Sequence, residues 1–247
     1  MHSAHHYDDG GRIRGTGAVR HDHKLEDYAM HRIPGVAAWI LTGVPDCTDL
    51  RGNVKQVYNQ GPIPACVMYS LALMKSIEGA LDRHAWFTYD PLAAYHEIGG
   101  DDKAGVPTRA ALEYVQAKGM PVLNFGRRDR IGSYAFAPQE PAEFVATLKA
   151  ALAAGQPCVI AARLPARFGW DSSGPATEAY HQMCLVGYNS GSTPLGNAII
   201  GNSWGPDWGR AGFGQLSWEY LLSDDFHHKD VYAYTCVDFI DASLKPA

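Results

Sequence analysis

The order of secondary-structure patterns constrains the fold of this chain more than any other feature. Apolar residues recur at spacings of three and four after Cys66, and no proline occurs between Cys66 and His84, which predicts a long helix. Shorter helical patterns follow, at 91–98, 108–118 and 141–154. Apolar runs typical of strands come later, at 158–162, 181–188, 197–201, 212–216 and 231–239. Helices followed by strands indicate an α+β fold rather than a doubly wound parallel sheet.

Capping residues mark the ends of two of the shorter helices. Thr108 is a candidate N-cap, and Gly119 fits the C′ position of the same helix. Pro141 begins the next helix and Gly155 follows its end, which is the usual placement of proline and glycine. These signals predict helices over 108–118 and 141–154.

Cys66 stands at the start of the long helix, after a loop that contains Pro62 and Pro64. Unpaired backbone N–H groups and the helix dipole favour a thiolate at this position, which predicts a lowered pKa. Gln60, six residues earlier, carries an amide that could reach back over the cysteine. A lone cysteine in an apolar helix is more often a small buried side chain, so the interpretation of Cys66 depends on residues further along the chain.

A second group of polar residues lies on a predicted hairpin. The turn-rich loop 190–196 separates two strand patterns, and His181 begins the first strand while Asn202 follows the second. Antiparallel pairing would bring these two residues close together. The asparagine carbonyl can orient an imidazole so that its other nitrogen faces a thiol. Trp204 could shield such a hydrogen bond from water.

Three blocks of residues form a recognisable pattern. The first is Gln60-Gly61 with Ala65-Cys66, the second is 180–188, and the third is Asn-Ser-Trp-Gly-x-x-Trp-Gly-x-x-Gly-Phe at 202–213. Their order and the six-residue step from glutamine to cysteine resemble the papain-like cysteine peptidases. The third block is the most specific part of the resemblance, which covers roughly residues 48–240.

The resemblance implies a papain-like two-lobe α+β fold with the active-site cleft between the lobes. We expect a helical left lobe at about 48–135 and an antiparallel, β-rich right lobe at about 136–247. Residues 1–47 would form an N-terminal extension. Glycines and few large apolar residues in its first part predict a flexible arm to about residue 30, which contributes nothing to catalysis.

The resemblance also implies catalytic roles. Cys66 would be the nucleophile, His181 the general base and later the acid, and Asn202 the residue that orients the imidazole. Gln60 and the backbone N–H of Cys66 would form the oxyanion hole. This chemistry proceeds through a thioester and needs no metal and no organic cofactor.

Substrate binding is expected at four further residues. Ala104 and Gly105 fall where the family has a glycine-containing loop that pairs with the substrate backbone. Tyr180 and Trp204 flank the two strand ends that carry the histidine and the asparagine. The sequence departs from the family at Val67, where tryptophan is usual, and at Tyr180, where a small or polar residue is common. Both departures resemble bacterial members.

Composition restricts the partners. A net charge of −5 gives no basic footprint for nucleic acid, and no apolar run is long enough to span a membrane. Five widely spaced cysteines without a CxxC pair do not suggest a disulfide framework or a structural zinc site. We therefore expect a peptide or protein substrate, no nucleic acid and no membrane partner. The lack of a signal peptide favours a cytoplasmic location, and the oligomeric state is open.

Histidines are concentrated near the N-terminus, where six of the eleven lie within the first 31 residues. Spacing such as His21-x-His23 is weak support for a metal site, so we expect none. His227-His228 lies in a charged stretch and is interpreted as a solvated loop.

Three functions fit the same residues. The leading hypothesis is a cysteine peptidase that hydrolyses peptide or amide bonds. An amide-forming or acyl-transferring enzyme would use the same Cys-His-Asn site with an amine as acceptor. A non-catalytic peptide-binding scaffold is the third, although a scaffold needs none of Cys66, His181, Asn202 and Gln60.

Overall fold

The structure is a computed structural model that describes residues 5–7, 12–18, 28–123, 125–191, 193–223 and 231–237. The helices are α1 (Pro34–Thr42), α2 (Cys66–Arg83), α3 (Pro91–Glu97), α4 (Thr108–Ala117), α5 (Pro141–Ala153) and α6 (Trp218–Leu222). The strands are β1 (His5–Tyr7), β2 (Ile13–Gly15), β3 (Tyr28–Ala29), β4 (Thr48–Asp49), β5 (Met120–Pro121), β6 (Arg128–Asp129), β7 (Ser133–Phe136), β8 (Cys158–Arg167), β9 (Ser173–Asn189), β10 (Asn197–Gly201), β11 (Phe213–Ser217) and β12 (Tyr232–Val237).

Helix α2 is the central helix of the fold and begins at Cys66, as the sequence predicts. Its residues are buried from Cys66 to Ala80 on every face, which explains why the apolar pattern is so dense. The helix ends where His84 adopts the left-handed conformation, with φ of 50°. It packs against β9 on one side and α3 on the other, so its first residue lies between helices and sheet.

The large sheet confirms the α+β prediction. Its strand order is β11-β10-β9-β8-β12-β7-β3, and all of these pairs are antiparallel except β3 with β7. Strands β9 and β10 form the predicted hairpin, in which Asn189 pairs with Asn197 around the turn. Helix α5 packs on β8 and β9, and α1 packs on α5. A helical lobe and a β lobe therefore meet along α2 and β9.

The strands differ from the sequence prediction mainly in length. Strand β9 begins at Ser173, eight residues before His181, and pairs with a β8 that continues past Pro165. The register shifts on both sides of Pro165, which has no N–H to donate to the ladder. Strands β4 and β7 pair with the large sheet, so the β lobe includes residues 48–49 and 133–136.

The prediction that Thr108 caps α4 is wrong. Pro107 occupies the cap position, and Thr108 is the first helical residue. The hydroxyl of Thr108 instead donates to the side chain of Gln182 in the β lobe. The other end of α4 is as predicted, since Gly119 follows it with φ of 83°.

A buried ion pair joins α2 to β6. Lys75 Nζ lies 3.2 Å from Asp129 Oδ2, and the lysine side chain is 1% exposed. Arg83 contributes two further hydrogen bonds to Asp129, and Tyr89 donates its hydroxyl to the same carboxylate. Burial would raise the pKa of Asp129, but these partners outweigh burial and lower the pKa to about 2.

Neither a membrane helix nor a metal cluster is found in the described ranges. Each helix there is too short or too polar to cross a bilayer. Those ranges also contain no group of three or more histidine, cysteine or acidic side chains arranged for a metal ion. His21, His23, His227 and His228 lie outside the described residues.

Candidate active site

Cys66 lies at the base of the cleft as the first residue of α2 and is fully buried. Burial raises the pKa of its thiol to about 12, although the backbone N–H groups of Gln182, Val67 and Ala18 face the sulfur and favour the anion. The expectation of a lowered pKa is therefore wrong for this conformation. The sequence pattern identified the helix N-terminus but not the residues that cover the thiol.

His181 and Asn202 are joined by the predicted hydrogen bond. His181 Nε2 lies 2.8 Å from Asn202 Oδ1, and both residues are buried. The amide oxygen also accepts from the backbone N–H of Ser203 at 2.8 Å, which fixes its orientation. Because this oxygen only accepts, Nε2 carries the proton and Nδ1 is the nitrogen that can exchange one.

Trp204 shields this pair, as the sequence suggested. Its ring centroid lies 4.9 Å from that of His181, at an interplanar angle of 31°. Phe168 and Trp208 also pack edge-on against Trp204, with ring centroids 5.6 Å from that of Trp204 in both cases. The three aromatic rings exclude water from the His181–Asn202 hydrogen bond.

Gln60 is held beside the loop that leads to Cys66. Its Nε2 donates to the Ile63 carbonyl at 2.7 Å, and its Oε1 accepts from the Ser203 hydroxyl at 2.5 Å. The Gln60 backbone N–H donates to the Ser203 carbonyl at 2.8 Å. A primary amide has two N–H groups, so one remains to donate to a reacting oxygen.

The N-terminal segment 14–18 lies in this cleft. The backbone N–H of Gly15 donates to the Gly61 carbonyl at 3.0 Å, and the Gly15 carbonyl accepts from Trp204 Nε1 at 3.1 Å. Arg14 Nη1 donates to the Trp204 carbonyl at 2.9 Å. This end of the segment is therefore anchored beside Gln60 and Trp204, where the predicted site is.

The other end of the segment passes over Cys66. The backbone N–H of Gly17 donates to the Tyr180 carbonyl at 3.1 Å, and the N–H of Ala18 faces the Cys66 sulfur. Gly17 also packs directly on Gly105, where any Cβ would overlap the Gly17 carbonyl. The segment thus spans the site from Trp204 to Gly105 and helps to bury the thiol.

The fit of this segment depends on two glycines. A Cβ on Gly15 would overlap the Ile63 carbonyl and lie 2.8 Å from Gln60 Nε2. Gly17 has φ of 135°, and a Cβ there would lie 2.7 Å from Pro64 Cβ. The glycines themselves were the available sequence signal, because glycine allows a positive φ and a close approach of two backbones. The expectation of a flexible arm does not hold for residues 14–18, which are buried except for the partly buried Gly17.

The predicted site residues lie around this one cleft. Tyr180 and Trp204 contact the N-terminal segment through the hydrogen bonds described above, and Gly105 contacts it through close packing. Ala104 is exposed next to Gly105, and its carbonyl accepts from the Tyr95 hydroxyl at 2.6 Å. Residues 14–18 and Gln182 are the parts of the site that the sequence did not reveal.

Sequence comparison supports one family. A family model described as papain family cysteine protease matches residues 94–225, just over half of the chain. The matched range contains His181 and Asn202 and begins after Gln60 and Cys66. No curated protein sequence matches the chain significantly.

Solved structures of cysteine proteases share the fold. The chain is similar to xylellain, a cysteine protease from Xylella fastidiosa, with a TM-score of 0.70 and 20% identity over 92% of this chain and 97% of that one. It is also similar to procathepsin B S9 from Trypanosoma congolense, with a TM-score of 0.68 and 13% identity over 91% and 87%. Digestive procathepsin L 3 from the larval midgut of Tenebrio molitor gives a TM-score of 0.63 and 17% identity over 85% and 75%.

Proposed function

Because this chain belongs to the papain family of cysteine proteases, we propose that it hydrolyses peptide bonds with Cys66 as the nucleophile and His181 as the general base and acid. The observation that carries the proposal is the 2.8 Å hydrogen bond from His181 to Asn202, on strand β9, which packs against the helix that begins at Cys66. A buried histidine that is oriented by a neutral amide and packed, through its strand, against a helix that begins with a cysteine is suited to thiol catalysis.

The first half of the reaction forms a thioester. His181 Nδ1 takes the thiol proton, while Nε2–H remains bonded to Asn202. The sulfur then attacks the substrate carbonyl carbon, and the negative charge moves to the carbonyl oxygen. The amide of Gln60 and the backbone N–H of Cys66 donate to this oxyanion. When the C–N bond breaks, His181 gives its proton to the leaving amine.

The second half releases the acid product. His181 removes a proton from water, and the resulting hydroxide attacks the thioester carbonyl. The same donors stabilise the second oxyanion. The C–S bond then breaks, and the Cys66 sulfur leaves as a thiolate beside the protonated His181. Trp204 keeps the His181–Asn202 bond shielded throughout.

The substrate would bind where the N-terminal segment now lies. Gly61 and Tyr180 offer backbone carbonyls, Trp204 offers its indole N–H, and Gly105 offers a surface without a side chain. An extended peptide is recognised by this kind of main-chain bonding. Ala104 is exposed beside Gly105 and would extend the same surface. We therefore propose a peptide or protein substrate that must displace residues 14–18.

A peptide-library digest tests the proposal. The full chain is compared with Gly17→Val, in which the new side chain cannot fit against Pro64 and so opens the cleft, and with Gly17→Val combined with Cys66→Ala. Peptide cleavage by Gly17→Val that disappears with Cys66→Ala supports hydrolysis at this site. If added amines are incorporated and free acids do not form, the enzyme transfers acyl groups instead. An open cleft that binds peptides with neither product would favour the scaffold.

A further inference from the structure

The residue after His181 is a buried glutamine that joins the two lobes. Gln182 Nε2 donates to Ser70 Oγ at 2.8 Å, one turn after Cys66 on α2. Its Oε1 accepts from the hydroxyl of Thr108, the first residue of α4. Gln182 and Thr108 are 0% exposed and Ser70 is 2% exposed, so all three lie in the interior.

This chain of hydrogen bonds is complete at each end. Ser70 Oγ donates onward to the Val67 carbonyl at 2.9 Å in the first turn of α2. Thr108 donates its single hydroxyl proton to Gln182 from the first position of α4, after the cap residue Pro107. Satisfied buried polar networks of this kind fix geometry, because a small shift leaves a partner without its bond.

Two neighbouring residues of β9, His181 and Gln182, form hydrogen bonds on opposite faces of the strand. Successive side chains of a strand point to opposite sides. His181 points to Asn202 and Trp204, whereas Gln182 points to Ser70 and Thr108 in the helical lobe. The backbone N–H of Gln182 is one of the groups that favour the anionic form of the Cys66 thiol. Strand β9 is therefore held in register with α2 at the point where thiol and imidazole must meet.

We propose that Gln182 is a positioning residue, whose bonds to Ser70 and Thr108 set the placement of His181 relative to Cys66. The proposal rests on the proposed peptidase function. Gln182 does not touch the reacting atoms through its side chain. It acts through strand β9, and loosening this strand widens the range of distances between sulfur and imidazole. A misplacement on the order of 1 Å can cost about 10²-fold in rate.

Paired variants separate positioning from stability. Gln182→Met keeps the length of the side chain and removes both hydrogen bonds. Thr108→Val removes the hydroxyl at constant shape, and Thr108→Ser restores the hydroxyl. The matched control is Thr235→Val, which deletes another buried hydroxyl bond, to the Pro157 carbonyl at 2.8 Å in the β lobe. All variants are made in the full chain, with and without Gly17→Val.

The measurements are kcat and KM, the melting temperature, and the rate at which iodoacetamide alkylates Cys66 as a function of pH. For Gln182→Met we expect kcat to fall about tenfold or more with KM within about twofold, and alkylation at pH 5.5 to slow by a similar factor. Thr108→Val should lower kcat and the alkylation rate by a smaller factor, and Thr108→Ser should recover most of that loss. Thr235→Val should lower the melting temperature without changing either rate.

The outcomes distinguish the two proposals. If the Gly17→Val protein labels Cys66 at pH 5.5 and Gln182→Met labels it equally fast, the positioning role is overturned while the peptidase proposal stands. If the Gly17→Val protein shows no reactive thiol at pH 5.5, both proposals fail. If Gln182→Met does not fold, Thr108→Val and Thr108→Ser decide the matter, and equal rates in those two would overturn the inference.

Discussion

The indole nitrogen of Trp204 donates to the carbonyl of Gly15 over 3.1 Å, although the two residues are 189 positions apart in the chain. Trp204 also shields the His181–Asn202 pair. The N-terminal segment is therefore bonded to the part of the molecule that supports the candidate catalytic base. In this conformation the segment, rather than a substrate, holds the hydrogen-bonding groups of the cleft.

The first prediction is that opening the cleft accelerates turnover. Gly17→Val forces a side chain against Pro64 at a backbone position that disfavours one, so residues 14–18 should leave the cleft. We expect kcat/KM to rise on the order of tenfold, which corresponds to about 1.4 kcal/mol of competition from the segment. Peptide turnover by purified full-length proteins measures this effect.

The control for this prediction is Gly52→Ala, where an added Cβ meets no atom within 4 Å. Gly15→Ala provides an independent test at the other end of the segment, because its Cβ would overlap the Ile63 carbonyl. Turnover that is unchanged in both Gly17→Val and Gly15→Ala would mean that the segment leaves the cleft freely. If kcat/KM also rose in Gly52→Ala, the effect would not be specific to the cleft.

The second prediction concerns stability. Asp129→Asn leaves Lys75 buried without its carboxylate, and we expect a loss of about 3–5 kcal/mol in the free energy of unfolding. The pKa of Asp129 is lowered to about 2, so its contribution is present above its unfolded pKa of about 4 and is lost as the pH falls toward 2. Urea unfolding at several pH values measures both effects.

A surface pair supplies the comparison for Asp129. Asp207 lies 3.6 Å from Arg12, and its side chain is 78% exposed. Asp207→Asn should change stability by less than about 1 kcal/mol. If Asp129→Asn is equally mild, Lys75 must find other compensation when its partner is removed.

Local patterns predicted much of the fold. The dense apolar spacing after Cys66 predicted α2, and the turn-rich loop 190–196 predicted the β9–β10 hairpin. The first part of β9, residues 173–180, escaped prediction because it is rich in glycine, proline and polar residues. These residues form a strand because they pair with β8. Such pairing depends on tertiary contacts, which local sequence propensity does not predict.

The sequence predicted which residues form the candidate site, but it did not predict that the Cys66 thiol is covered. The motifs placed Cys66, His181, Asn202 and Gln60 in one cleft, whereas the raised pKa of Cys66 depends on burial that a segment about 50 residues earlier helps to provide. Thr108 shows the same limit. The sequence suggested that it caps α4, but Pro107 occupies the cap position, and Thr108 donates its hydroxyl to a buried partner on β9. Long-range partners override local preference in both cases.

The third prediction concerns the oxyanion hole. In the Gly17→Val background, Gln60→Ala should lower kcat on the order of 10²-fold with little change in KM, because the amide donates to charge that develops in the transition state. Gln60→Glu is a second variant. It keeps an oxygen for the Ser203 hydroxyl and removes the N–H donors, but it also sets a carboxylate oxygen against the Ile63 carbonyl, so its melting temperature is measured alongside kcat. A rise in KM at constant kcat in either variant would instead make Gln60 a ground-state binding residue.

The last prediction links pH to opening of the cleft. The covered form holds the thiol proton tightly, since burial raises the pKa of Cys66 to about 12. An uncovered thiol paired with an imidazolium has a pKa of roughly 3–4. The covered form keeps this proton on the sulfur and the uncovered form keeps it on His181, so the two forms bind equal numbers of protons until the imidazolium deprotonates. Above the pKa of the imidazolium the covered form binds more protons, and raising the pH then shifts the equilibrium toward the uncovered form.

Alkylation of Cys66 should follow this linkage. In Gly17→Val, iodoacetamide should label Cys66 rapidly even at pH 5.5, where an ordinary thiol is only about one part in a thousand ionised. In the wild-type protein, labelling of Cys66 should be slower at pH 5.5. It should approach the rate of Gly17→Val only above the pKa of the imidazolium, where opening of the cleft releases a proton. Peptide mass spectrometry separates Cys66 from Cys47, the exposed thiol that serves as an internal reference. Parallel pH profiles in the two proteins would show that covering and thiol ionisation are not linked.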